Sequence, residues 1–476
     1  METNFFKRVA WVLLAGLLTL GVLVFGVLAY YGIPANAAGM AAKGVCSAAF
    51  VAGRPAQDLF AQDVLPANPI LASIRIDAVD QSEHSVTASF LGLVSRRAVL
   101  VRDRGCVLDL PVDTTAQAYK PATNAAQPWP QGDATLPVAD WGAGVDAQKL
   151  QHVVDAAFEG AGNPLAANAR GLAVVHQGRL LVMREAPGFA PGTGLHGWSM
   201  TKTVTGMLTY KLSTEAGLPL DALVVDAFPA GREPDWVDAW RRDARKNIRV
   251  SDLLTMRDGL AMNEGYGPLD AVPQMLWGAP DIPAWAARHP AEAAPAARWN
   301  YLSASTNLLA GVARARFATD ADYWAYPRKA LFDPLGARSA VLETDSAGNW
   351  VGSSYLWASV GDWARLGQLM LQDGKWGNTE VLPAGWLKFA STPSMKQGEG
   401  QGYGAQSWLF GNPAAGRCRA YPGVPADTIA MGGHWGQMVA MVPSRNAVVV
   451  RLGWTFRRKQ FDECQLLSEV LAALPH

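Results

Sequence analysis

The first long apolar segment of the chain runs from Val9 to Tyr31 and carries no charged residue. A helix of this length, at about 1.5 Å per residue, is long enough to cross the hydrocarbon core of a bilayer. Lys7 and Arg8 directly precede it, and basic residues beside a span tend to stay in the cytoplasm. The pattern therefore predicts a single-pass anchor in the inner (cytoplasmic) membrane that contacts the lipid bilayer, with the rest of the chain facing the periplasm or exterior.

Two other interpretations of residues 1–38 stay open. A cleaved signal peptide would fit Ala35-Asn36-Ala37, which resembles a small-residue cleavage site. Its apolar region would be unusually long, so the uncleaved anchor is favoured. A buried core helix is the least favoured, because basic residues precede the segment and it has no polar face.

Three short stretches after the anchor alternate between apolar and polar residues, which is typical of half-buried strands. Their apolar positions are Ile74, Ile76 and Ala78, then Val86, Ala88 and Phe90, then Val99 and Val101. Residues 39–119 are therefore predicted to form a small β-rich region. Residues 120–138 are rich in Pro, Ala, Gln and Asn and are interpreted as a linker, so the main domain is assigned to 139–476.

Hairpins are predicted at both ends of the main domain, from strands at 172–176 and 180–184 and from strands at 438–442 and 447–452. Asp146 is expected to cap an amphipathic helix that extends through Phe158. Further helical stretches lie between the hairpins, at 203–213, 251–256, 305–317 and 360–372. Strands at both ends with helices between them predict an α+β fold whose sheet is assembled from distant parts of the chain.

Charge and cysteine content narrow the possible partners and cofactors. The 41 basic and 41 acidic residues balance and no basic run appears, so nucleic acid is not an expected partner.

Four cysteines in an exported chain suggest disulfides, and Cys46 with Cys106 and Cys418 with Cys464 are favoured because each pair shares a region. The other connectivities and four buried thiols stay open. No cluster of His and Cys indicates a metal site.

The first candidates for catalytic residues lie in Ser199-Met200-Thr201-Lys202. Positions three apart share a helix face, which would bring the Ser199 hydroxyl to the Lys202 amine. Serine needs a base to act as a nucleophile, and a lysine can serve when burial or nearby charge favours its neutral form. The segment that follows, 203–208, is apolar or small and is predicted to be buried. By itself the motif is better explained by a capping serine beside a solvated lysine.

Three motifs, in the order in which they occur along the chain, resemble those of a known family. Trp198-Ser199-Met200-Thr201-Lys202 follows the first hairpin, Tyr301-Leu302-Ser303 precedes a helix, and Gly433-His434-Trp435-Gly436-Gln437 precedes the last hairpin. This order resembles that of the serine β-lactamase and penicillin-recognising family, and in particular its branch of esterases and 6-aminohexanoate-dimer hydrolases. The resemblance implies a β-lactamase/transpeptidase-like fold, with an antiparallel sheet flanked by helices and a helical subdomain.

The resemblance also implies roles for these residues. Ser199 would attack an acyl carbon, while Lys202 and Tyr301 would share a proton network. Tyr301 would be the main proton acceptor, with its pKa lowered by the nearby ammonium. The oxyanion hole would consist of the backbone N–H groups of Ser199 and Gln437. No cofactor is implied.

Other residues of the motifs are candidates for substrate binding. His434, Gly436 and Ser303 are expected at the site, and Tyr266 resembles a tyrosine that lines the amide pocket of the 6-aminohexanoate-dimer hydrolases. Each has a structural alternative. His434 could be a structural histidine whose hydrogen bonds are satisfied, Ser303 a helix cap, and Tyr266 a packed loop residue. Tyr301, taken alone, could equally be a core residue.

The third motif departs from the family's Lys-Thr-Gly because it contains no lysine, and His434 is only partly cationic near neutral pH. This difference disfavours strong recognition of penicillins or D-Ala-D-Ala ends. No clear carboxylate for deacylation is evident, and Glu264 is only a remote candidate. The sequence thus predicts a serine hydrolase of small ester or amide substrates. A β-lactamase or D-Ala-D-Ala carboxypeptidase and a catalytically silent envelope-binding protein are the alternatives.

An α/β-hydrolase is the nearest rival among enzyme folds, since it also places a serine at a turn before a helix. Its nucleophile motif is Gly-x-Ser-x-Gly, whereas Gly197 to Thr201 lacks the final glycine. This interpretation is therefore disfavoured.

Overall fold

A computed structural model describes residues 2–120, 127–159, 165, 167–456 and 461–475, with side chains from Phe6 onward. The chain begins with helix α1 (Glu2–Tyr30), and its segment Phe6–Tyr30 has a mean hydropathy of 2.7 in its most apolar window and no buried residue in that window. The helix is long and apolar enough to be either a membrane span or a signal sequence.

A four-stranded antiparallel sheet follows, in the order β1-β2-β3-β4. Its strands are β1 (Ile74–Asp80), β2 (Ser85–Phe90), β3 (Val94–Val101) and β4 (Gly105–Leu108). The first three match the predicted alternating stretches, and β4 was not predicted. The alanine-rich helix α2 (Ile33–Cys46) packs on this sheet, and its small side chains allow close approach.

Five strands form the main antiparallel sheet, in the order β12-β13-β14-β5-β6. These are β5 (Ala169–His176), β6 (Arg179–Glu185), β12 (Ile429–Gly433), β13 (Gln437–Val442) and β14 (Ala447–Gly453). Both predicted hairpins are present, and β14 pairs with β5, so Val449 lies opposite Val174. The sheet therefore joins segments more than 200 residues apart, as the α+β prediction required.

Both faces of this sheet are covered, so β5, β13 and β14 are buried at every position. Helices α3 (Ala147–Ala156) and α14 (Glu463–Leu471) share a core with Val449 on one face. Helix α12 (Val360–Leu371) shares the larger core with Val448 and Val450 on the other. Asp146 caps α3 as predicted, since its side chain accepts a hydrogen bond from the Lys149 N–H.

The remaining helices lie between β6 and β12. They are α4 (Met200–Glu215), α5 (Trp236–Arg241), α6 (Val250–Leu254), α7 (Ala271–Pro273), α8 (Ile282–Ala286), α9 (Ser303–Arg314), α10 (Asp320–Pro327), α11 (Asp333–Leu335) and α13 (Trp386–Ser391). Short strands β7 (Leu195–His196), β8 (Val341–Leu342) and β9 (Leu356–Ala358) form a three-stranded sheet in the order β7-β9-β8. A small hairpin pairs β10 (Lys375–Trp376) with β11 (Thr379–Glu380).

Both predicted disulfides are confirmed: Cys46 bonds to Cys106 and Cys418 bonds to Cys464. The first joins α2 to β4, and the second joins a loop to α14. The domain boundaries at 38, 119 and 138 stay predictions, and part of the proposed linker, 121–126, lies outside the described residues.

A buried ionic cluster links α2 and β4 to the main domain. Glu343 is fully buried and its carboxylate lies 3.4 Å from the Lys43 ammonium. It also accepts hydrogen bonds from the Cys106 N–H (2.6 Å), the Ser47 hydroxyl (2.9 Å) and the Trp357 indole N–H (3.2 Å). Burial raises the pKa of Glu343, and the neighbouring Lys43 opposes this rise. These contacts compensate for burying a charged pair.

Candidate active site

Ser199 stands at the N-terminus of α4, directly after the turn that follows β7. The turn is tight. Trp198 has a φ of 49°, a left-handed conformation that non-glycine residues rarely adopt and that often marks functional sites. Gly197 faces Trp363, whose ring would lie 2.2 Å from an added Cβ. The Ser199 side chain is thereby held at the edge of a cleft.

Lys202 lies one helical turn further along α4 and is 1 % exposed. Its ammonium donates hydrogen bonds to the hydroxyls of Ser199 and Ser303, both at 2.9 Å, and to the Ser353 carbonyl at 3.3 Å. Burial lowers the pKa of Lys202 to about 8, although the Glu264 carboxylate acts to raise it. At pH 7 about one-tenth of this amine is therefore neutral, compared with under about one-thousandth for a lysine of ordinary pKa.

Tyr301 lies beside this pair, with its ring centre 4.8 Å from the Lys202 nitrogen. Burial raises the pKa of Tyr301, the Glu264 carboxylate raises it further, and a hydrogen bond with Ser199 acts in the opposite direction. The net shift is opposite to the lowering expected from the sequence. A phenol shifted this way is a poor base at neutral pH, so the pKa directions favour Lys202 over Tyr301 as the proton acceptor.

Glu264 is a functional candidate that the sequence analysis underestimated. Its carboxylate accepts hydrogen bonds from the Ser303 N–H at 2.7 Å and from the Ser303 hydroxyl at 2.5 Å. It also lies 3.9 Å from the Lys202 ammonium. Glu264 thus connects Ser303, at the start of α9, with Lys202. No local pattern marks it, because its partners are distant in the chain.

The third motif forms the turn between β12 and β13 and lies against the turn at Gly197, before Ser199. A Cβ at Gly433 would lie 2.3 Å from the Gly197 carbonyl oxygen, so only glycine permits this approach. Gln437 lines the cleft, and its side chain is hydrogen-bonded to backbone groups of the turn and of β14. Its amide donates to the Gly453 carbonyl at 2.5 Å and accepts from the Gly453 N–H at 3.0 Å, which fixes the turn to β14.

His434 and Tyr266 form one aromatic wall of the cleft. Their rings are stacked, with centres 4.2 Å apart and planes 10° apart. Trp198 meets the His434 ring edge-on at 5.4 Å and the Tyr266 ring at 6.1 Å. Gly436 adopts a φ of 84° in the same turn. The structure therefore brings all the predicted site residues to one place.

A cleft of about 900 Å³ opens at Ser199. Its walls include residues that the sequence analysis did not identify, namely Trp408, Phe410, Arg417, Phe456, Phe461 and Glu463. Arg417 forms an ion pair with Glu463 at 2.5 Å, and its guanidinium lies 5.1 Å from the Trp408 ring centre. Within the described residues, no group of three or more His, Cys, Asp or Glu side chains could hold a metal ion.

Several solved structures have a fold similar to that of this chain. Among solved structures, a Bacillus anthracis protein assigned as a 6-aminohexanoate-dimer hydrolase is 18 % identical, with a TM-score of 0.53 over 65 % of this chain and 81 % of its own. A class C β-lactamase is 17 % identical, with a TM-score of 0.51 over 70 % and 99 %. EstCE1, a hydrolase with promiscuous acyltransferase activity, is 14 % identical, with a TM-score of 0.51 over 69 % and 97 %.

At these identities the structures establish the β-lactamase/transpeptidase-like fold and nothing finer. No curated protein sequence matches the chain significantly. A family model described as Beta-lactamase matches residues 150–463, well over half of the chain, and this range includes all three motifs. The chain therefore belongs to the Beta-lactamase family, whose members are serine hydrolases.

Proposed function

We propose that this serine hydrolase cleaves ester or amide bonds of small acyl substrates through an acyl-enzyme on Ser199. The observation that carries the proposal is the 2.9 Å contact between the Lys202 amine and the Ser199 hydroxyl, with the Lys202 pKa lowered to about 8. A neutral amine at this distance is positioned to accept the hydroxyl proton during attack.

In the proposed reaction, the Ser199 oxygen attacks the acyl carbon while its proton moves to neutral Lys202. The carbonyl oxygen becomes an oxyanion, which the backbone N–H groups of Ser199 and Gln437 would stabilise. The proton then passes to the leaving alcohol or amine, directly or through Tyr301, and the acyl-enzyme forms. Water attacks the ester carbon, returns a proton to Ser199 through the same groups, and releases the acid.

The walls of the cleft support small, largely neutral acyl substrates. The stacked rings of His434 and Tyr266 offer an aromatic face near Ser199, and the third motif supplies no lysine for a substrate carboxylate. A β-lactamase or D-Ala-D-Ala carboxypeptidase is the second candidate, because the fold is shared with a class C β-lactamase.

We further propose that α1 remains attached and anchors the hydrolase in the inner membrane with the catalytic domain outside. Its length, the absence of any buried residue in its most apolar window and the basic residues before it support this location.

The proposal is tested on the full chain in detergent with a p-nitrophenyl short-chain ester, nitrocefin and a 6-aminohexanoate dimer. A fluorophosphonate probe, mapped by mass spectrometry, identifies the nucleophile. We expect ester turnover, little nitrocefin turnover, and a label on Ser199. Rapid nitrocefin turnover would favour the β-lactamase alternative. No turnover and no label would favour a silent envelope-binding protein.

The pH dependence of ester hydrolysis is expected to report Lys202. Because the neutral amine is the active form, kcat/KM should rise with pH and level off above the Lys202 pKa of about 8. The measurement is initial rates at low ester concentration from about pH 6 to about pH 9, corrected for spontaneous hydrolysis. A profile that is flat or falls through this range would exclude Lys202 as the base.

Glu264→Gln provides a sharper form of this test. The carboxylate raises the pKa of Lys202, so its removal should move the midpoint of the pH profile to lower pH. Glu292→Gln is the matched control, because Glu292 pairs with Arg298 away from the cleft and both side chains are at least 38 % exposed. The control should keep the original midpoint, and an unchanged midpoint in Glu264→Gln would remove that residue from the proposed network.

A further inference from the structure

The tip of the β2–β3 hairpin carries two exposed leucines. Leu91 and Leu93 are 61 % and 69 % exposed, on either side of Gly92. Hairpin tips are usually built from Gly, Asn, Asp or Ser, and Leu91 even adopts a φ of 51° that leucine rarely takes. Apolar side chains held in water at such a position point to an apolar environment outside the protein.

This tip lies beside the end of α1. The Phe90 ring, directly before the tip, lies 6.5 Å from the Phe25 ring of α1. Phe25 is five residues before the end of α1 at Tyr30, which is about 7.5 Å along a helix axis. Tyr30 and Tyr31 are 85 % and 50 % exposed, at the position where membrane spans carry interfacial aromatic residues. The hairpin that carries the two leucines therefore packs beside the last turns of α1.

An exposed cation accompanies the two leucines. The Arg75 side chain is 72 % exposed, and its Nη2 lies 3.7 Å from an ideal Cβ position at Gly92. Its ion pair with Asp77, at 2.5 Å, is also at the surface. An arginine next to apolar residues is suited to lipid phosphates at the level of the headgroups.

The same surface continues toward the catalytic cleft. The Leu91 N–H donates to the Ser73 carbonyl at 2.8 Å, at the end of the segment Pro69–Ser73. Ile70 and Leu71 of that segment line a crevice together with Ile33, the first residue of α2, and with Tyr266, which also lines the cleft. Leu65 and Leu269, 36 % and 59 % exposed, lie in the chain segments next to this crevice.

We propose that the surface formed by Arg75, Leu91 and Leu93, here called the lipid-facing surface, rests on the bilayer that α1 crosses. This inference depends on the proposed membrane span but not on the identity of the substrate. The bilayer is the occupant because the surface is continuous with the end of α1. The Tyr266 side of the cleft is then held next to the membrane, where substrates at the lipid–water interface can reach Ser199.

The test uses the full chain in nanodiscs that contain lipids with a nitroxide on the acyl chain. Because all four native cysteines are in disulfides, single cysteines at three positions can be labelled with a fluorophore that nitroxides quench. Leu93→Cys probes the surface and Leu18→Cys probes the centre of α1. Val138→Cys is the matched control, since Val138 is an exposed apolar residue (46 %) in another part of the chain. Fluorophosphonate labelling of each sample confirms an intact site.

We expect quenching at positions 18 and 93 to lower emission at least about twofold, with little change at position 138. Equal, weak quenching at 93 and 138 with strong quenching at 18 would overturn the lipid-facing surface and leave the anchor intact. Weak quenching at all three positions would overturn the membrane span and with it this inference. Neither result would affect the proposed chemistry at Ser199, which the fluorophosphonate label reports separately.

Discussion

Ser199→Ala is expected to abolish hydrolysis of every substrate, with kcat lowered by roughly 10⁴-fold or more. The reason is geometric. The Ser199 hydroxyl lies 2.9 Å from the Lys202 amine, and hydrogen bonds with Tyr266 and Tyr301 surround it. Removing the oxygen removes the atom that would bond to the acyl carbon, and the other hydroxyl on Lys202, that of Ser303, is fully buried. The measurement is steady-state turnover of the p-nitrophenyl ester, with fluorophosphonate labelling in parallel.

Two other serine variants show whether the loss of activity is specific to Ser199. Ser213 lies in the same helix, and among the described residues its hydroxyl donates to the Tyr210 carbonyl alone, so the activity of Ser213→Ala should match that of the parent. Ser303→Ala should lose activity only partly, because it removes a hydrogen-bond partner of Lys202 and of Glu264 and leaves the nucleophile in place. If Ser199→Ala retained parental turnover, Ser199 would not be the nucleophile and the proposed function would fail.

Glu343→Ala is expected to lower the free energy of unfolding by about 3–5 kcal/mol, because breaking a buried ion pair leaves an uncompensated charge. The Lys43 ammonium would lose its counter-ion, and the Cys106 N–H and the Trp357 indole would lose their acceptor. The measurement is urea unfolding of the full chain in detergent, followed by tryptophan fluorescence.

The control for this prediction is Glu292→Ala, which removes an exposed ion pair that contributes only about 0–1 kcal/mol. A double variant, Lys43→Met with Glu343→Met, should be less destabilised than the sum of its single changes, because neither charge is then left alone. A loss under about 1 kcal/mol in Glu343→Ala would show that α2 and β4 are held to the main domain chiefly by apolar packing.

Several elements could be predicted because their signals are local. The hairpins at 172–184 and 438–452 follow from short apolar runs separated by turn residues, and each is present with shifts of a few residues at its ends. The Ser199–Lys202 pair follows from helical spacing alone. The disulfides follow from the placement of four cysteines in two regions.

Other features carried no local signal. Helix α2 combines small apolar residues with no polar face, so its sequence resembles an extension of the anchor. Strand β4 is four residues long and buried throughout, so it shows no alternation. Tyr301 and the turn at 433–437 were identified only through the order of three motifs, because their contacts with Ser199 span more than 100 residues of chain.

By itself, the sequence determined the apolar helix, the alternating strands, the Ser199–Lys202 pair and the family resemblance, since each depends on residues close together in the chain or on motif order. The tertiary structure decided that Glu264 joins the site, that Lys202 has a pKa of about 8, and that the pKa of Tyr301 is raised rather than lowered. These properties depend on burial and on nearby charges. Both are supplied by segments distant in the chain, which only the folded structure brings together.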